Sequence, residues 1–330
     1  MKKILFGVVS ILIIVFGIFM VLNNEQDTEV SLDTSLEKLS VVTTLFPQYD
    51  FVRAIGGDRV DVSLLLPPGV EAHSYEPKPS DIVKVSNAKI FVYTGEFMEP
   101  WAHDIIESVG TKTKVVIASA GTRMINHEEG HEEGHEEGHE DHSESGDKHA
   151  EHDGVDPHIW LDFDNAAIMA QNITEALVEV DPKNAEFYQN NFKTYQVKLA
   201  ELDNLYKATL SSCQTKTIVY GGHYAFGYLA NRYGLEYTSA QGFSPDAEPT
   251  AKDMIALVDQ VKKNNIQYIF YEELSGPKVA ETLARETGTK LLLLNGVHNI
   301  TKEDYDSGLT FLSAMEENRK NLSLGMGCSK

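Results

Sequence analysis

Short apolar runs alternate with helical patterns twice along the chain, and this alternation constrains the fold more than any other feature. The apolar runs are nearly continuous, which is typical of parallel strands that are buried on both faces. The predicted strands are 40–46, 59–66, 89–94 and 114–119 in the first half, and 217–220, 235–240, 266–271 and 290–294 in the second. Helical patterns lie between them, and the last pattern, 303–322, predicts one helix. The sequence therefore predicts an α/β fold of two Rossmann-like lobes, each with a mostly parallel sheet of about four strands.

One helical pattern is much longer than the others. It begins at Pro182 and runs to about residue 210 without an interior glycine or proline. Roughly 28 residues of helix would span about 42 Å, which is long for one small domain, so we expect a rigid helix that joins two lobes. The predicted division is a signal or anchor segment at 1–22, a tether at 23–39, a first lobe at 40–181 with a His-rich acidic loop at 127–153, a linking helix at 182–211, and a second lobe at 212–330.

The first residues predict a membrane segment. Lys2 and Lys3 precede nineteen residues without a charge, 4–22, which would reach about 28 Å as a helix, close to the thickness of the hydrocarbon core. No cysteine follows for lipid attachment, and no small-residue cleavage pattern is present, so the pattern favours an anchor over a cleaved signal peptide. The two lysines place the rest of the chain on the extracytoplasmic side of the membrane.

A repetitive acidic tract carries most of the histidines. Seven of the twelve lie in it: His127, His131, His135, His139, His142, His149 and His152. The tract has too few apolar residues to build a core, but imidazoles can gather metal ions weakly. It contains overlapping His-Glu-x-x-His matches, which we discount because a zinc-protease motif needs a packed helix and here glycine recurs at every fourth position. We interpret the tract as auxiliary, low-affinity metal capture.

Charge and cysteine content exclude several classes of protein. The formal net charge is −22, and 13 acidic residues and one lysine between His127 and Asp156 account for about −12 of it. Because binding phosphate needs a basic surface, nucleic acid is excluded as a partner. Cys213 and Cys328 form no Cys-x-x-Cys pair, which excludes zinc fingers and thioredoxin-like sites. They are either two free thiols or one disulfide.

Four histidines outside the tract predict a metal site. His73, His223 and His298 each follow a predicted strand, and His158 follows the tract. Ligands of such sheets bind beyond the carboxyl ends of the strands. Each lobe supplies two of the four histidines, so a cleft between the lobes would bring them together, and four nitrogen ligands suit tetrahedral Zn²⁺. The remaining histidine, His103, lies in a helical pattern, and we expect it to be a surface residue.

Three motifs carry a resemblance to a known family. They are His73-x-Tyr-Glu-Pro-x-Pro-x-Asp81, Asp156-Pro-His158-x-Trp-Leu-Asp162, and His223-x-Ala-Phe-x-Tyr-Leu-Ala230 followed by Tyr233-Gly-Leu235. Over about residues 40–325 the chain resembles the zinc and manganese solute-binding proteins of ABC importers, the cluster A-I family. The resemblance implies metal in the cleft between the lobes and places His73, His158 and His223 on the family's first three ligand positions. It also implies a membrane permease and a separate ATPase subunit as partners.

The fourth ligand position departs from the family pattern. Similar proteins carry an acid after the last strand, where this chain reads Asn295-Gly-Val-His298, so His298 replaces the acid by position. Glu272, at a strand end, is an additional candidate ligand, and water is a third alternative. An all-histidine site predicts a preference for Zn²⁺ over Mn²⁺.

The sequence therefore predicts a monomeric, non-enzymatic receptor at the extracytoplasmic face of the membrane that captures Zn²⁺ and delivers it to an importer. The phosphate-binding glycine loop of an ATPase and the Gly-x-Ser-x-Gly motif of a hydrolase do not occur in the sequence. The alternatives are a Mn²⁺ receptor of the same family, a zinc-dependent hydrolase with three histidines and an open zinc position, and a metal-binding adhesin.

Overall fold

Two four-stranded parallel sheets form the framework of the protein. The computed structural model describes residues 38–126, 154–243, 248–274 and 276–329. The predicted anchor, nearly all of the tether and the whole tract at 127–153 lie outside these ranges. Within them, no helix is both long and apolar enough to cross a membrane.

The first sheet contains the four strands predicted in the first half of the chain. They are β1 (Leu39–Thr43), β2 (Val60–Leu64), β3 (Ile90–Tyr93) and β4 (Lys114–Ile117), in the spatial order β2-β1-β3-β4 with every pair parallel. Three helices pack beside them: α1 (Phe46–Gly56), α2 (Pro79–Ser86) and α3 (Ala102–Val109). Strand crossovers through helices explain why all the pairs are parallel.

The second sheet repeats this arrangement. Its strands are β5 (Thr217–Tyr220), β6 (Glu236–Ser239), β7 (Tyr268–Tyr271) and β8 (Lys290–Leu293), in the order β6-β5-β7-β8, again all parallel. The helices between these strands are Gly227–Tyr233, Ala251–Lys263 and Lys278–Thr287. The predicted fold of two α/β lobes with four strands each is confirmed.

A long helix joins the two halves, as predicted. Helix Phe163–Val180 begins at Asp162, whose side chain accepts hydrogen bonds from the backbone N–H groups of Asp164 and Asn165. A short 3₁₀ turn at Pro182–Asn184 follows, and then the 27-residue helix Ala185–Ser211. A 27-residue helix is about 40 Å long.

The predicted single helix at 303–322 is wrong, because the structure has two helices there. Lys302–Ser307 ends at Gly308, whose φ of 77° is left-handed and suits glycine. The next helix, Phe311–Gly325, begins at Thr310, whose hydroxyl accepts from the backbone N–H of Ser313. The apolar spacing continues across the break, which is why periodicity alone missed it.

The two lobes share one hydrophobic core. In each central strand, alternate residues point to opposite faces of the sheet. Val41 and Ile218 therefore pack into a cluster shared by both lobes, whereas Val42 and Val219 pack into two smaller clusters on the outer faces. The two sheets therefore pack on one shared core and have separate outer clusters.

The C-terminal segment is tied to the start of the second lobe. Cys213 and Cys328 form a disulfide across a sequence separation of 115. Of the two alternatives that the sequence left open, the structure has the disulfide.

Candidate metal centre

The four histidines predicted as metal ligands come together between the lobes. Their ring centroids lie 5.1 to 6.4 Å apart in all six pairs. His158, His223 and His298 are fully buried, and His73 is partly exposed. His103, in contrast, has a side chain that is 57% exposed, near Glu96 and Glu107, which confirms that it is a surface residue.

Three of these histidines form the tighter group. Nε2 of His158 lies 3.1 Å from Nε2 of His223, and a nitrogen of His73 completes a set whose members all lie within 4.8 Å of one another. Two nitrogens bound to one tetrahedral Zn²⁺ at about 2.05 Å would be about 3.3 Å apart. The geometry of this group therefore suits one small cation.

Carboxylates lie beside the outer ring nitrogens of two histidines. Nδ1 of His158 lies 2.9 Å from Oδ1 of Asp156, which also accepts a hydrogen bond from the backbone N–H of His158. Nδ1 of His223 lies 2.9 Å from Oε1 of Glu272, although the angle falls short of a hydrogen bond. Such partners orient an imidazole so that its other nitrogen, here Nε2, can bind a metal.

Glycine lets Glu272 approach His223. Gly222 directly precedes His223, and a Cβ at this position would lie 2.8 Å from Oε2 of Glu272 and 2.7 Å from the Tyr220 ring. A larger residue would push the carboxylate away from the site.

His298 belongs to a second group, with Glu71 and Glu272. Nε2 of His298 lies 3.7 Å from Oε2 of Glu71, and the other Glu71 oxygen accepts hydrogen bonds from the backbone N–H groups of Ala72 and His73. Glu71 was not predicted from the sequence. Its only signal was its position two residues before His73, in the loop after a strand.

Burial and charge shift the pKa values of these groups. Burial lowers the pKa of His73 to about 3 and that of His158 well below its usual value, with further lowering by neighbouring histidines. Burial also lowers the pKa of His298, but the adjacent Glu71 and the charges of Glu273 and Glu272 outweigh it and raise that pKa to about 9. His73 and His158 are therefore neutral at pH 7, the form that binds metal.

Several buried polar atoms at the centre have no hydrogen-bond partner among the described residues. They are Nε2 of His73, Nδ1 of His223, both ring nitrogens of His298, Oδ2 of Asp156, and both carboxylate oxygens of Glu272 and Glu273. Burial raises the pKa of Asp156 to about 8, and it raises that of Glu273 to about 8 as well. Unpaired buried polar groups are costly, so their concentration here indicates a place for a cation.

The predicted auxiliary histidines of the tract lie outside the described residues. The residues that flank the tract are paired, because Asn126 and Val155 form an antiparallel bridge. Ile125 also accepts a hydrogen bond from the backbone N–H of Asp156, two residues before His158. The described residues on the two sides of the tract are therefore held together next to Asp156, the partner of His158.

Comparison with known proteins identifies the family of the chain. Residues 41–325 match the family model described as zinc-uptake complex component A, periplasmic. The high-affinity zinc uptake system protein ZnuA of Bacillus subtilis is 41% identical over 294 residues, which cover 89% of each chain.

Two solved structures are similar over nearly the whole described chain. The Zn(II)-bound ZnuA-like domain of Streptococcus pneumoniae AdcA is 33% identical, with a TM-score of 0.71, over 88% of this chain and 99% of that one. Complete AdcA proteins are longer, and the match covers 56% of a curated AdcA from Streptococcus pyogenes. The laminin-binding protein Lmb of Streptococcus agalactiae, described as an adhesin with metal-transporting activity, is 28% identical, with a TM-score of 0.74, over 88% of this chain and all of that one. On the family match and the 41% identity, the chain belongs to the family of periplasmic A components of zinc-uptake complexes.

Proposed function

We propose that this protein is an extracytoplasmic receptor that captures Zn²⁺ and delivers it to the permease of an ABC importer, whose ATPase is a separate subunit. The observation that carries the proposal is the convergence of four histidine rings, two from each half of the chain, within 6.4 Å of one another. The zinc-uptake family and the zinc-binding relatives support the choice of cargo.

The proposed ligands are His73, His158, His223 and His298. The first three would hold the ion through the compact nitrogen group. His298 would close the fourth position from the second lobe, once zinc displaces the proton that its raised pKa retains at pH 7. Glu272 is an additional candidate ligand, since both of its oxygens are buried without a hydrogen bond. Four nitrogen donors favour Zn²⁺ over Mn²⁺, which prefers oxygen.

We propose a carrier rather than an enzyme. A catalytic zinc site keeps one coordination position open to water and substrate. Here a fourth imidazole, His298, lies 5.7 Å from the His223 ring, and both side chains are fully buried. This arrangement favours a closed site that encloses the ion over one that admits a substrate.

The remaining features fit a monomeric receptor at the membrane surface. Residues 1–22 would anchor the protein and residues 23–39 would tether it. The two lobes, 40–181 and 212–330, would be joined by the helix 182–211 and would hold the metal between them. The histidines of the tract, from His127 to His152, would collect metal weakly. The similarity to Lmb supports adhesion as a second candidate function, which binding to immobilised laminin would test.

Competition titration tests the proposal. The purified protein is stripped of metal and titrated with Zn²⁺ and Mn²⁺ against a chelator of known affinity. We expect one tight Zn²⁺ equivalent, with weaker equivalents from the tract, and weaker Mn²⁺ binding. Tighter binding of Mn²⁺, or no tight site at all, would overturn the zinc assignment.

A further inference from the structure

The loop that carries His298 is held largely by the other lobe. Three donors from the first half of the chain bind backbone carbonyls of this loop. Phe46 N donates to His298 O (3.2 Å), Trp160 Nε1 donates to Gly296 O (2.8 Å), and Gly69 N donates to Ile300 O (2.8 Å). These bonds cross between the lobes, so the position of His298 depends on the lobes staying together.

Asn299, in the second lobe, donates two hydrogen bonds to the first lobe. Its Nδ2 donates to the backbone carbonyls of Pro67 (2.8 Å) and Val70 (2.7 Å), while its Oδ1 accepts from the backbone N–H of Ile300 (2.9 Å). The side chain is fully buried. Both amide protons are therefore used on one segment of the first lobe, 67–70, which leads directly into Glu71 and His73.

The backbone beside His298 is strained. Val297 has a φ of 60° and is fully buried. The left-handed region is unfavourable for a β-branched residue, and such a conformation persists only where surrounding contacts maintain it. The loop would not adopt this shape by itself, so the hydrogen bonds between the lobes stabilise the strained backbone at Val297.

We propose that Asn299 is a positioning residue that couples the two ligand loops and sets the rate at which the ion leaves. This inference rests on the proposed function. By holding segment 67–70 against the His298 loop, Asn299 keeps His298 within reach of an ion bound by His73, His158 and His223. Without these bonds, the loop relaxes at Val297 and the fourth ligand is lost first.

The variant Asn299→Asp tests this. Aspartate keeps the shape and the acceptor for Ile300, but it places an oxygen against the carbonyls of Pro67 and Val70 where the amide donated. We expect zinc to dissociate at least ~10-fold faster in a stopped-flow experiment with excess chelator, the effect of losing a partner that orients a ligand. The visible spectrum of the Co²⁺-substituted protein should also change, because its intensity reports the loss of tetrahedral coordination.

Asn318→Asp is the matched control. Asn318 is equally buried and holds the same loop, but from within the second lobe: Nδ2 donates to Asn295 O (2.7 Å) and Oδ1 accepts from Asn295 N (2.8 Å). We expect lower thermal stability in this variant, with a dissociation rate and a Co²⁺ spectrum close to those of the parent.

Three results would overturn the proposal. One is a folded Asn299→Asp protein with the parent's dissociation rate and spectrum. Another is an equally large change of the zinc dissociation rate in Asn318→Asp, which would show that the rate depends on the rigidity of the loop in general. If Asn299→Asp does not fold, Asn299→Ser, which is shorter and cannot reach both carbonyls, is measured in the same way, and parental behaviour there also overturns it. A parent protein without a tight zinc site would instead overturn the proposed function.

Discussion

Nε2 of His158 lies 3.1 Å from Nε2 of His223, although the two residues are 65 positions apart in sequence, with the long helix Ala185–Ser211 between them. The two imidazoles come from different lobes, and each has a carboxylate beside its other nitrogen. A cation between them would therefore bind both lobes at once. Substitutions of the residues around these two histidines should therefore change the affinity for zinc, which can be measured.

His298→Ala should weaken zinc binding by at least ~10- to 100-fold, because water would replace a ligand from the second lobe. Chelator competition measures the change. His103→Ala is the control, since that side chain is exposed and remote, and should have no effect. His298→Glu should retain binding and shift the preference toward Mn²⁺. Unchanged affinity in His298→Ala would mean that Glu272 or water completes the site.

Asp156→Asn should weaken zinc binding by about 10- to 100-fold, because the carboxylate that orients the His158 ring is lost. Asp104→Asn, on the helix Ala102–Val109, makes the same substitution at an exposed position and serves as the control. Isothermal titration of both variants makes the comparison. Equal affinities would show that the backbone alone orients His158.

Deletion of residues 128–151 should remove the weak metal equivalents and leave one tight zinc site. The reason is that the four clustered histidines all lie outside the deleted stretch, and Asn126 and Val155 already pair at its ends. Metal-to-protein stoichiometry after dialysis, and then after competition with a strong chelator, separates the two classes. Loss of the tight equivalent would assign the high-affinity site to the tract.

Glu99 should make the metal-free protein less stable as pH rises. Burial raises its pKa to about 7, against hydrogen bonds that lower it, from Thr44, Gly95 and Thr94. The pKa of Glu99 is higher in the folded protein than in the unfolded chain, where it is near 4.5. The contribution of Glu99 to the free energy of unfolding is therefore fully present below about pH 4.5 and is lost as pH rises through 7. The expected loss is about 3 kcal/mol in the free energy of unfolding.

The measurement for Glu99 is urea unfolding of the parent and of Glu99→Gln from pH 5 to pH 8. The difference between the two unfolding free energies should change with pH, because only the parent can ionise at this position. Glu96→Gln, in the same turn but exposed, should track the parent throughout. A constant difference between the parent and Glu99→Gln would contradict the raised pKa.

Removal of the disulfide should lower stability without abolishing zinc binding. Cys328→Ser opens a loop of 115 residues, and loss of such a link typically costs about 2 to 5 kcal/mol. The bond lies after the long helix, near Ser211, and not among the clustered histidines. Denaturant midpoints of the parent and of the variant measure the cost. Equal midpoints would show that the bond adds nothing to stability.

The eight strands and the long helix were predictable from sequence for a local reason. Most of the strands are short apolar runs, and two central ones, β3 and β5, are buried at every position, so local composition is enough to predict them. The prediction of one helix at 303–322 failed because the break in it depends on the left-handed backbone of Gly308 and on a cap at Thr310, which apolar spacing does not report.

The sequence by itself determined the chemistry of the metal centre: three histidines after strand ends and a fourth, His158, after the acidic tract, in a chain whose parallel sheets must present their carboxyl ends together. Only the tertiary structure decided which carboxylates lie beside the imidazole rings. Glu71, Glu272 and Asp156 act through distances of 2.9 to 3.7 Å to rings on other segments or in the same turn. The sequence does not report distances across the cleft, because these depend on how the two sheets, each formed by one half of the chain, pack on one shared core.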